Sequence, residues 1–200
     1  MQYGLYKDPV GILLILYSIA AVALIVERML LWKKVKSQTR ALSAELPDML
    51  TSPDRQKLKG AFADGEAPLA EVMSHVLKHD TSESPETTLL LLDDALDEVA
   101  SRYRKNLVLL AALAGTAPFL GLLGTVLGIM RTFVDIMQKG FGGPTVIAFG
   151  ISQALQTTAA GLVIAIPTFI AFNLLNNAAN RAVRDLRMQA NRIFVALGDL

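Results

Sequence analysis

Two stretches decide how this chain folds: Gly121-Leu122-Leu123-Gly124-Thr125-Val126-Leu127-Gly128, and Ala154-Leu155-Gln156-Thr157-Thr158-Ala159-Ala160-Gly161-Leu162-Val163-Ile164-Ala165. In the first, Gly121, Gly124, Thr125 and Gly128 follow one another at helical spacing and share one face, while Leu122, Leu123, Val126 and Leu127 cover the others. In the second, Ala154, Thr158, Gly161 and Ala165 form a matching stripe, with Ser152 and Thr157 beside it. Helices in lipid gain no hydrophobic drive from touching. They associate where small residues let backbones approach and where hydroxyls bond across. The two stripes therefore predict a pair of packed membrane helices. A threonine hydroxyl donates and accepts, bonds back to its own helix, or lines a wetted path. Thr125 and Thr158, on the small faces, are expected to point into the bundle rather than at lipid.

Working outward, uncharged runs mark the spans. Val10–Val26 is seventeen residues without a charge, Leu107–Met130 is twenty-four, and 141–180 is forty. About twenty apolar residues cross a bilayer. Met29 to Trp32 lengthen the first run while Arg28 snorkels. The Gly142-Gly143-Pro144 turn opens the third, which predicts a helix from about Val146 to Leu175. The composition agrees: 52% of the 200 residues are hydrophobic and 18% are charged, too apolar for a small soluble domain. The net charge of +1 names no partner, and nothing suggests nucleic acid. With no cysteine, disulfide scaffolds, thiol nucleophiles and Cys-based metal sites are excluded.

Of the nineteen Lys and Arg residues, twelve lie between Glu27 and Asn106 and four in the tail from Arg181, against one before the first span and two between the second and third. Basic residues stay on the cytoplasmic side, so the N-terminus and short loop are expected outside, the middle segment and tail inside. The basic cluster follows the first apolar run, which favours an uncleaved helix over a signal peptide. In the inner segment Pro47, Pro53, Pro68 and Pro85 are expected to separate short helices. From Pro85 a helix with Leu89, Leu92, Leu96 and Val99 on one face is expected to run unbroken into the second span. Leu175, Ala179, Ala182, Leu186, Gln189, Ile193 and Ala196 continue the third helix as a packed seam. His75 and His79 lie four apart, with Glu71 and Asp80 near them, and are read as surface histidines rather than a metal site.

The second and third spans hold no Asp, Glu, Lys, Arg or His. A proton relay across a bilayer needs titratable groups, so this chain cannot complete one alone. Nor does a nucleophile–base pair or metal constellation appear at membrane depth, which argues against an enzyme. A passive helical scaffold is the rival of another class.

Ala117-Pro118-Phe119-Leu120-Gly121-Leu122-Leu123-Gly124-Thr125-Val126-Leu127-Gly128-Ile129-Met130 resembles the second-helix signature of the ExbB/TolQ branch of the MotA/TolQ/ExbB proton-channel family. Gly150-Ile151-Ser152-Gln153-Ala154-Leu155-Gln156-Thr157-Thr158-Ala159-Ala160-Gly161-Leu162, ending in Ala165-Ile166-Pro167, resembles its third-helix signature, and Glu27-Arg28 fits the close of its first helix. The resemblance implies an all-α integral membrane protein with three transmembrane helices, the second and third extended into the cytoplasm, forming a homo-oligomeric ring, a pentamer, in a bacterial inner membrane. The division expected is a periplasmic N-terminus over 1–9, transmembrane helices over 10–32, 107–131 and 146–175, a cytoplasmic helical segment over 33–106, a periplasmic loop over 132–145 and a cytoplasmic C-terminal helix over 176–200.

The ring would enclose the single-span helices of an ExbD- or TolR-like partner whose intramembrane aspartate carries the proton. A TonB- or TolA-like protein would receive the work. No cofactor or metal is implied. Thr125 and Thr158 match the family's pore threonines, with Thr157 and Gln153 beside them on the pathway, while Gly121, Gly124, Gly128, Ala154, Gly161 and Ala165 pack the helices. Many members carry Glu where this chain has Gln153, which hydrogen-bonds but does not titrate. The Thr157-Thr158-Ala159-Ala160-Gly161 run looks closer to the ExbB than to the TolQ branch, and the Tol–Pal role is the near alternative.

Overall fold

The computed structural model describes residues 9–51, 55–63, 67–78, 85–140 and 143–197. Six helices follow in chain order: α1 (Pro9–Thr51), α2 (Arg55–Ala63), α3 (Pro68–Leu77), α4 (Pro85–Arg104), α5 (Leu107–Lys139) and α6 (Pro144–Leu197). Among the described residues there is no strand. Three stretches, within α1, α4–α5 and α6, are long and apolar enough to cross a membrane.

The chain divides into two compact units. The first takes the chain to Glu27 and from Asn106 to Leu174. Val10, Leu14 and Ala21 of α1 are buried in it, as are Leu107, Leu110, Ala114 and Ala117 of α5 and Ala154 and Ala165 of α6. A hydroxyl contact joins α5 to α1, Thr116 Oγ1 lying 3.4 Å from the Tyr17 hydroxyl. The outward faces carry Leu16, Ile19, Phe119, Leu122, Val163, Ile166 and Phe169, all more than half exposed. In water so much apolar surface would drive aggregation, whereas in lipid it is the solvated face.

The second unit runs from Arg28 to Lys105 and from Leu175 onward. Here α3 packs against both α2 and α4. Leu58, Phe62, Leu69, Val72, Met73, Leu92, Leu96, Val99, Leu186, Ile193 and Phe194 are buried. Glu71 pairs with Arg102, and Arg187 holds Asp93 at 2.7 Å. Arg28 is only 2% exposed, and its guanidinium donates to the Arg102 carbonyl at 3.1 Å. That carbonyl lies in the last turn of α4, where helical donors run out, so the buried cation supplies one.

Several expectations need correction. The helix beginning at Pro85 does not run unbroken into the second span: it stops at Arg104, and Asn106 adopts the left-handed conformation with φ of 63° before α5 begins. Asparagine tolerates this conformation better than most residues. Its side-chain amide also donates to the Glu27 carboxylate, at 3.0 and 3.3 Å, which fixes the turn. Leu89, expected on the packed face, is 43% exposed. Helix α1 continues past residue 32 and through Pro47, so that proline does not separate helices. Helical structure also extends into the expected 132–145 connection. Helix α5 continues to Lys139, Gly140 closes it at φ 68°, and α6 starts at Pro144, where the missing N–H costs nothing. Pro118 and Pro167 lie inside α5 and α6 without ending them. Membrane helices tolerate such prolines when neighbouring helices and hydroxyls satisfy the freed backbone groups. Pro53, His79 and Asp80 lie outside the described residues, so the suggested histidine pair is described only at His75, which is exposed.

Candidate functional site

The site starts from backbone proximity. α5 and α6 run antiparallel, and their small residues meet in descending register: Gly121 faces Thr157, Thr158 and Gly161, Gly124 faces Thr157, Gly128 faces Ala154, and Thr132 faces Gly150. A methyl group placed on Gly161 would lie 2.7 Å from the Ala117 carbonyl oxygen and 3.1 Å from the Gly121 Cα. One on Gly121 would lie 2.9 Å from both the Thr157 carbonyl oxygen and the Thr158 Cα. On Gly128 it would meet the Ala154 Cβ at 2.8 Å. The first two are collisions with backbone, which no rotamer change relieves.

Close approach brings two hydroxyls onto one carbonyl and a third beside them. Thr157 Oγ1 lies 3.2 Å and Thr158 Oγ1 3.0 Å from the Gly121 carbonyl oxygen. Each hydroxyl has one proton to give. Thr157 also reaches the Ala154 carbonyl in its own helix at 2.7 Å, so the shorter bond is a back-bond. Thr125 back-bonds to the Leu122 carbonyl at 2.6 Å, which leaves its lone pairs to accept from Thr158 Oγ1 at 3.3 Å. Thr158 is the odd one. Its two described acceptors, Gly121 O and Thr125 Oγ1, are both on the facing helix. It therefore chooses between two acceptors at nearly equal distance, and the choice reorganises a three-hydroxyl cluster without moving a helix.

Burial separates these residues further. Thr157 and Thr125 are 4% and 6% exposed, closed between the helices, whereas Thr158 is half-buried. Gln153, also half-buried, lies one turn before Thr157 on α6. Gly121, Gly124, Ala154, Gly161 and Ala165 are buried and Gly128 half-buried. Among the described residues no group of three or more His, Asp or Glu side chains stands close enough to hold a metal. The charge-free parts of α5 and α6 bring only hydroxyls, an amide and backbone to this centre. Such a site orders water and accepts or donates hydrogen bonds, but it has no group to carry a proton as charge.

Four participants escaped the reading of the sequence. Ala117 lends its carbonyl to the Gly161 approach, Thr132 faces Gly150, and Thr168, 3% exposed, back-bonds to the Ile164 carbonyl at 2.6 Å. Their signal was present, because they continue the same three-and-four spacing beyond both ends of the quoted stripes.

Residues 64–188 match the MotA/TolQ/ExbB proton channel family, well over half of the chain. The chain belongs to that family. Over 207 aligned residues it is 30% identical to the biopolymer transport protein ExbB of Neisseria meningitidis serogroup A, covering 95% of this chain and 93% of that one. It is 46% identical over 82 residues to ExbB of Helicobacter pylori strain J99, covering 41% and 57% respectively. A putative ExbB-like protein of Synechocystis is 34% identical over 170 residues, covering 81% of this chain and 65% of that one. The chain is thus an ExbB-like, multi-pass membrane component of a proton-channel family, which is a family of transport proteins and not of enzymes. Both the threonine cluster and the glycine contacts fall within the part matched to the family.

Proposed function

We propose that this ExbB-like chain is the ring subunit of an inner-membrane motor. The ring couples proton entry to TonB-dependent transport across the outer membrane. One observation carries the reading: the core of the α5–α6 pair is a hydroxyl cluster on the Gly121 carbonyl, within spans that hold no titratable side chain. A proton channel built this way needs an acid from elsewhere, and an aspartate on the single span of an ExbD-like partner, enclosed by a ring of five copies, supplies it. Thr158, the half-buried member, is the hydroxyl that meets that carboxylate, with Thr125 as its second acceptor. Gln153 holds a polar position near this level without titrating. One charge crossing 100 mV releases about 2.3 kcal/mol, enough to bias a small rotation between ring and partner. The distribution of Lys and Arg supports a periplasmic N-terminus and a cytoplasmic C-terminus.

Deletion in the native host tests the assignment. The expected phenotype is loss of energised uptake of large, scarce nutrients through the outer membrane, with the envelope barrier to detergent intact, restored by re-expressing the chain. Normal uptake with a leaking envelope would instead place the chain in a Tol–Pal role.

A further inference from the structure

The second unit contains a cavity of about 430 Å³ that the channel reading does not use. Trp32, Lys36, Tyr103, Arg181, Asp185 and Leu186 are among its lining residues. Its volume is that of a small-molecule site. Its place along the chain is informative. Trp32 lies six residues after the charge-free run of α1, and Arg181 is the first charge after the charge-free run of α6. Both helices leave the apolar layer here, where interfacial tryptophan and basic residues meet lipid headgroups.

The polar groups are arranged for an anion. Among the described residues no ion pair engages Lys36, and Arg181 commits only its Nε, to the Asn177 carbonyl at 3.3 Å. Asp185, one turn from Arg181, pairs with neither cation. Two cations against one carboxylate leave the lining with a formal charge of +1. Apart from the neutral amide of Gln189, the rest is apolar or aromatic. Trp32 and Tyr103 stack at a tilt with centroids 5.2 Å apart. Tyr103 is 5% exposed, and its hydroxyl and the Trp32 Nε1–H are buried donors without a partner among the described residues. A buried donor left unsatisfied costs about 1–3 kcal/mol. An occupant bearing one negative charge, oxygen acceptors and an apolar body complements all of these features.

We propose that this cavity binds an anionic glycerophospholipid, with the phosphodiester between Lys36 and Arg181 and the ester region against Trp32 and Tyr103. Basic pockets between membrane helices on the cytoplasmic side take headgroups of this kind. Asp185 excludes headgroups of higher negative charge by repulsion. The assignment needs only that α1 and α6 cross a membrane, and it stands apart from the motor reading.

Trp32 is the single tryptophan of the chain, so its fluorescence reports this cavity alone. The protein, purified in detergent without partners, is titrated with phosphatidylglycerol or phosphatidylcholine carrying brominated acyl chains. Quenching by the anionic lipid is expected at a mole fraction at least about five times lower, a preference of ~1 kcal/mol by the tenfold-per-1.4 rule. That preference is expected to shrink in high salt and to vanish in Lys36→Gln/Arg181→Gln, while Lys36→Arg keeps it. Equal quenching by both lipids, or a preference unchanged by the double substitution, overturns the proposal. So does displacement of the quenching lipid by millimolar inorganic phosphate, which would make the site one for a free anion. Should the double variant not fold, the salt dependence and the Lys36→Arg result decide.

Discussion

Thr158→Val is expected to lower proton-driven transport at least about tenfold, equivalent to a barrier raised by ~1.4 kcal/mol, while leaving the protein folded. The substitution keeps the shape and removes only the hydroxyl. The Gly121 carbonyl loses the Thr158 donor but keeps the helical N–H of Thr125, four residues on, so no backbone group is orphaned. Hydrogen bonds between membrane helices average ~0.6 kcal/mol and reach ~1.7 kcal/mol at most, so the expected loss of stability is small. A large effect on transport beside a small one on stability is what a pathway residue shows and a packing residue does not. Thr158→Ser, which restores the hydroxyl, is expected to retain transport. Thr157→Val is expected to cost less, because the Thr157 hydroxyl is closed between the helices and its shorter bond is to its own helix. Energised uptake measured beside thermal unfolding in detergent separates the two effects. Full transport by Thr158→Val would remove the hydroxyl from the mechanism.

The second large effect is structural. Gly161→Leu is expected to destabilise the α5–α6 pair by at least ~1–3 kcal/mol, the usual range for overpacking, since its first atom already collides with the Ala117 carbonyl and the Gly121 backbone. The helices must separate, and separation also pulls Thr158 away from Thr125 and Gly121. Gly161→Leu is therefore expected to lose both the thermal midpoint and transport. Gly115 supplies the contrast. Nothing lies within 4 Å of a methyl placed there, so Gly115→Ala is expected to be neutral or to stabilise by up to ~1 kcal/mol through helix propensity. Equal midpoints for Gly161→Leu and Gly115→Ala would contradict the close approach.

The helix pair was legible from its small residues because spacing alone puts Gly121, Gly124 and Gly128 on one face, and close packing demands little more than absent side chains. The break at Asn106 was not legible. Its left-handed turn depends on a carboxylate at Glu27, seventy-nine residues away in sequence, and no local pattern announces that contact. Pro47 misled too: proline predicts a helix end from local sterics, yet α1 runs through it. At the site, Thr125 and Thr158 stood out in sequence as facing hydroxyls. The difference between Thr157 and Thr158 did not. Adjacent residues on a helix point about 100° apart, and only the position of the facing helix decides which hydroxyl is closed in and which keeps an open side.

Proton flux into liposomes tests the central claim most directly. The purified chain alone, reconstituted with an imposed proton gradient, is expected to show no flux above empty vesicles. Co-reconstitution with the proposed ExbD-like single-span protein is expected to produce flux, and Asp→Asn at the aspartate proposed for its span to abolish it. Flux through the chain alone would contradict a channel whose only titrating acid arrives on another polypeptide.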